Sequence, residues 1–116
     1  MSRRDAPAMR RIGLCAALAL TPAIAPGIAR ADAASLALGR ALFTEHAEPQ
    51  CAVCHTLADA KSSGEVGPVL DVLKPDAGRV TAAVTNGIGI MPAYDSLTPA
   101  QIEAVALYVS TVAGQP

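Results

Sequence analysis

Cys51-Ala52-Val53-Cys54-His55 constrains this chain more than any other stretch. Two thiols three residues apart, followed at once by an imidazole, form the C-x-x-C-H pattern of covalent haem attachment. The thiols can add to the two vinyl groups on one edge of a porphyrin. The imidazole then lies under the ring, where one nitrogen can ligate iron. Haem iron held by a His and a second ligand is a one-electron carrier.

Two other chemistries use similar residues. A structural zinc site takes four ligands. Beyond Cys51, Cys54 and His55, the mature chain adds only His46 or a carboxylate, and no second cysteine pair. A thioredoxin-type dithiol belongs with an α/β pattern, and the apolar spacings here are helical, without strand-like alternation. Covalent haem is therefore the expected cofactor.

Composition points the same way. A chain of 116 residues is long enough for one small domain, yet it has no Trp, one Phe (Phe43) and two Tyr (Tyr94, Tyr108). So small and aromatic-poor a domain needs a staple, and a buried haem supplies the missing apolar bulk. The third cysteine, Cys15, lies near the N-terminus and reads as a small hydrophobe. Leu14 directly before it argues against a lipoprotein site.

Residues 1–31 read as a cleavable secretory signal. Arg3, Arg4, Arg10 and Arg11 form a basic start, Ile12 to Ile28 an apolar run, and Ala29-Arg30-Ala31 a small-x-small cleavage pattern. Cleavage after Ala33 and initiation at Met9 are the nearby alternatives. An uncleaved anchor would need about 20 apolar residues, and Pro22 and Pro26 interrupt this run. Cleavage leaves a 32–116 domain with four basic and nine acidic residues, a net charge of −5. Such a domain is a poor nucleic-acid binder and is steered toward a positive patch on a partner.

In the mature part, Ala34 to Glu45 reads as a helix. Leu36, Gly39, Leu42 and Phe43 lie on one stripe, and Gly39 suits a close helix crossing. His46 to Gln50 breaks it at Pro49. The motif falls on a short helical turn over 50–56. Residues 57–73 read mostly as loop, punctuated by Ser62-Ser63-Gly64 and Gly67-Pro68. Asp76 caps a helix running to about Thr85, and Asn86-Gly87 ends it. Gly87 to Pro92 is irregular and carries Met91, the only methionine of the mature part. Thr98, Pro99 and Gln101 open the last helix as a capping box. Its expected buried face is Ile102, Val105, Val109 and Val112.

With the motif, the Gly67-Pro68-Val69-Leu70 segment and the Met91-Pro92 loop in place, residues 35–113 resemble the class I monohaem c-type cytochromes. The resemblance implies an all-α fold of about four to five short helices around the haem. It implies that the Pro68 carbonyl accepts the second N–H of His55, and that Met91, 36 residues past His55, is the sixth ligand. His46, on a charged turn before the motif, is the competing ligand. Arg79, Lys74 and Tyr94 are candidates for the haem propionates. Cys51 to Ala60, Lys74-Pro75-Asp76-Ala77 and Gly89 to Tyr94 are similar to the cytochrome subunits that accept electrons from bacterial sulfite dehydrogenases.

The expected role is thus periplasmic one-electron transfer with no substrate chemistry of the chain's own. The implied donor is a molybdenum-containing sulfite dehydrogenase, and electrons pass on toward a terminal oxidase or another cytochrome. No stable membrane insertion is expected after cleavage. The competing reading is a haem enzyme or gas sensor of peroxidase type with a vacatable sixth position.

Overall fold

Helix formation starts well before the expected position. The computed structural model describes residues 21–22 and 26–116, and α1 spans Pro26–Ala41. Pro26 suits a first helical position because its missing N–H would be unpaired there anyway. After Gly27, the alanine-rich run contains no further glycine or proline before Gly39. The basic start and most of the apolar run of the expected signal lie outside the described residues. Among those described, no helix is long and apolar enough to cross a membrane.

The chain then widens into a π-helical turn at Leu42–His46. The Ala47 N–H reaches back five residues to the Leu42 carbonyl, at 3.0 Å. This turn puts both Leu42 and Phe43 into the core. The motif follows as α2, Cys51–Cys54, a single turn inside the expected 50–56.

Two expectations for 57–73 are corrected. Strands β1 (Thr56–Leu57) and β2 (Ser62–Ser63) pair antiparallel, with Thr56 opposite Ser63. Two residues per strand are too few to display an alternating pattern. A one-turn helix, α3 (Leu70–Leu73), follows. One turn cannot display a 3.6-residue repeat either. Lys74 ends it in the left-handed region, at φ 46°.

The last two helices match their signals. In α4 (Ala77–Asn86) the Asp76 carboxylate accepts the Arg79 N–H, and Gly87 takes the C-cap at φ 71°. In α5 (Pro99–Val112) both bonds of the Thr98–Gln101 capping box are present.

Helices α1 and α5 cross at Gly39. A Cβ there would strike the Ala104 carbonyl and sit 2.6 Å from Tyr108 Cβ. Only a glycine lets the two backbones approach this closely. Phe43 meets Tyr108 edge-on nearby, with ring centroids 6.0 Å apart. Tyr108 donates to the Asp59 carboxylate at 2.6 Å, tying α5 to the β1–β2 turn. Leu42, Phe43, Leu57, Val80, Val84, Val105 and Val109 complete a core that is all-helical apart from the short strand pair. The expected α5 face is therefore only partly right: Val105 and Val109 are buried, whereas Ile102 and Val112 pack at its margin.

Candidate functional site

The core stops short on one side, leaving a cavity of about 490 Å³. Cys51, Cys54, His55, Pro68 and Met91 all line it. Phe43, Leu70, Val80, Val84, Val105 and Val109 are among the residues of the remaining wall, which is mostly apolar. Mostly apolar lining with a few convergent polar atoms is the usual character of a cofactor pocket.

His55 is held from behind. Its Nδ1 lies 2.9 Å from the Pro68 carbonyl oxygen. A carbonyl can only accept, so Nδ1 carries the proton and Nε2 keeps its lone pair for a metal. Such an outer partner fixes the tautomer, orients the ring and raises its basicity. The backbone also leaves no room for the ring to retreat. A Cβ on Gly67 would overlap the imidazole, 2.8 Å from Nδ1 and 2.9 Å from Nε2. A Cβ on Gly64 would sit 2.6 Å from His55 N and 2.5 Å from the Val53 carbonyl.

Three further residues brace this wall. The Ser62 hydroxyl donates to the His55 carbonyl at 2.9 Å and accepts the Leu57 N–H at 3.0 Å. The Gly67 N–H bonds to the Cys54 carbonyl at 2.7 Å. Asp71, at the start of α3, divides its carboxylate between the Ala58 N–H at 2.8 Å and the Gly114 N–H at 3.0 Å. Serine and glycine at 62–64 signalled only a turn, and nothing local marks Asp71 as a bridge between distant segments.

The thiol of Cys51 is buried, and burial pushes it above its ordinary range. Tyr94 is also buried, which raises its hydroxyl well above the usual tyrosine range. That hydroxyl donates to the Pro49 carbonyl at 2.8 Å and lies beside the Cys51 thiol. Arg79 lines the cavity and is exposed, consistent with a propionate partner, whereas Lys74 does not line it. His46 is exposed and lies outside the cavity wall.

The family described as cytochrome c oxidase, cbb3-type, subunit III matches residues 34–109. The chain is a c-type cytochrome. Its structure is similar to the crystal structure of the c-type cytochrome SorU from Sinorhizobium meliloti, with a TM-score of 0.71. The two sequences are 70% identical over 72% of this chain and 95% of that one. Comparison with curated proteins gives no match.

A c-type cytochrome carries covalently bound haem, and Cys51 and Cys54 have the attachment spacing. The residues present fit that group. Two thiols, a tautomer-locked imidazole and a thioether line one apolar cavity. The cytochrome is an electron carrier.

Proposed function

We propose that this cytochrome is an exported, six-coordinate electron carrier serving a molybdenum-containing sulfite dehydrogenase, and that it passes electrons toward a terminal oxidase. In this reading Cys51 and Cys54 hold the haem, and His55 and Met91 are its axial ligands. When bound, the haem supplies the ferric–ferrous couple.

The observation that carries the reading is the His55 Nδ1–Pro68 bond in the same cavity as Met91. Pro68 keeps the His55 proton on Nδ1 and the lone pair on Nε2. Thioether ligation by Met91 favours the reduced state and raises the potential. Phe43, Val80, Val84, Val105 and Val109 exclude water, which limits the reorganisation that accompanies a change of charge. The sulfite assignment rests on the three stretches at 51–60, 74–77 and 89–94.

The surface suits a transient partner. Val53 between the two cysteines is 61% exposed, and Val66, Ile88 and Ile90 at the cavity wall are 60%, 67% and 83% exposed. Apolar side chains gathered at one mouth mark an interaction site. The net negative charge of the mature part draws it to a basic docking surface, and small redox interfaces release quickly.

The ligand set is tested by the absorption spectrum and potential of Met91→Ala. The variant is expected to lower the potential and to bind carbon monoxide rapidly in the ferrous state, whereas the wild type resists it. Rapid carbon monoxide binding by the wild type at neutral pH would favour the haem enzyme or sensor instead. Reduction of the ferric protein by sulfite and a purified molybdenum sulfite dehydrogenase tests the donor, and no reduction overturns that assignment.

A further inference from the structure

Tyr94 lies three residues past Met91 and joins two distant parts of the cavity wall. It is 6% exposed. Its backbone N–H donates to the Val84 carbonyl on α4 at 2.9 Å. Its hydroxyl donates to the Pro49 carbonyl at 2.8 Å, 45 residues away, in the segment that leads into Cys51.

The loop that carries Met91 has few other ties. Ile88 and Met91 exchange two backbone hydrogen bonds of 3.0 Å, which close the loop on itself. Ile88 and Ile90 are largely exposed. Upstream, the Gly87 N–H bonds to the Ala83 carbonyl, as the cap of α4. Among the described residues, the Tyr94 hydroxyl is thus the side-chain hydrogen bond that links the Met91 loop to the segment before the attachment motif. Burial alone does not require it, because a phenyl ring fills nearly the same volume, and a buried hydroxyl costs free energy unless it is bonded.

We propose that Tyr94 is a positioning residue: by tying the Met91 loop to the Pro49 carbonyl, its hydroxyl holds Met91 within reach of the haem iron. The proposal rests on Met91 being the sixth ligand. An external ligand can bind the iron only while Met91 is away from it. Its binding rate therefore reads the population of the open loop. Losing one hydrogen bond of ordinary strength raises that population roughly threefold to tenfold.

The test uses the haem-loaded ferric protein and cyanide in stopped flow. Tyr94→Phe keeps the ring and removes only the hydroxyl that donates to Pro49, a residue that is itself exposed. Its cyanide binding is expected to be roughly three to ten times faster than wild type. Tyr108→Phe is the control. It also removes a buried, bonded tyrosine hydroxyl, yet Tyr108 does not line the cavity. It should lower the unfolding temperature and leave the cyanide rate unchanged. Equal cyanide rates in Tyr94→Phe and wild type overturn the proposal, as does equal acceleration in both tyrosine variants. Met91→Ala separates the underlying reading: it must accelerate cyanide binding more than Tyr94→Phe. If Met91→Ala leaves both spectrum and rate unchanged, the ligand assignment itself fails. If it accelerates binding and Tyr94→Phe does not, only the role of Tyr94 falls.

Discussion

The wall behind His55 and the loop that carries Met91 enclose the same cavity, yet they are built in opposite ways. Behind His55, backbone meets backbone at Gly64 and meets the imidazole itself at Gly67, Ser62 and Asp71 spend their side chains on main-chain groups, and α3 is anchored to the chain just past α5. The Met91 loop bonds mainly to itself and shows two isoleucines to solvent. The contrast separates two tasks. An imidazole whose basicity sets the electronics of iron gains from a wall that cannot move. A thioether needs only to be kept near, and a loop with few ties is also a surface that a partner can press against.

Gly67→Ala strikes the stiff wall hardest. The new Cβ overlaps the His55 ring, so ring or backbone must shift. The haem-loaded protein is expected to lose about 3 kcal/mol in guanidinium unfolding and to change its potential as the bond to Pro68 is lost. A Gly67→Ala variant of wild-type stability and potential would mean that this wall is as pliable as the Met91 loop.

Asp71→Ala comes next, at about 2 kcal/mol, because the Ala58 and Gly114 N–H groups both lose their acceptor. Denaturant unfolding measures it, and Asp71→Asn should recover part of the loss through its remaining carbonyl oxygen.

Ile90→Ser probes the loop. An 83% exposed side chain contributes little to the fold, so stability should stay within about 0.5 kcal/mol of wild type. Electron transfer with the partner should nevertheless weaken, and high salt should not reproduce the effect, because the lost contact is apolar. A large loss of stability would show the loop to be packed after all.

His46→Ala should change almost nothing. It lies outside both regions, and its low-spin spectrum and potential should match the wild type. Loss of the low-spin signal would transfer the sixth-ligand role from Met91 to His46.

The elements with strong local chemistry could be read directly. The Asp76 and Thr98 caps, the stop at Gly87 and the motif turn at Cys51–Cys54 all appear where their residues place them. The weak points were short or non-local. The start of α1 at Pro26 is not legible because the signal-like pattern of 1–31 covers the first part of the helical run. The strand pair and α3 are not legible because two or four residues cannot show a period. Lys74 is a propionate candidate by charge, but it does not line the cavity, and its side chain lies beside Gly114 instead.

Cys51, Cys54 and His55 by themselves determined the cofactor, because covalent attachment is local chemistry within five consecutive residues. The resemblance of the Gly67-Pro68 and Met91-Pro92 segments extended this to a ligand set. Tertiary structure alone decided how firmly each side of the site is held. That depends on which distant groups meet: Asp71 with Gly114, Tyr94 with Pro49, the Gly67 backbone with the face of an imidazole. A hydrogen bond across 45 residues, or a gap too small for one methyl group, leaves no trace in local composition, since its partners are neighbours only after the chain has folded.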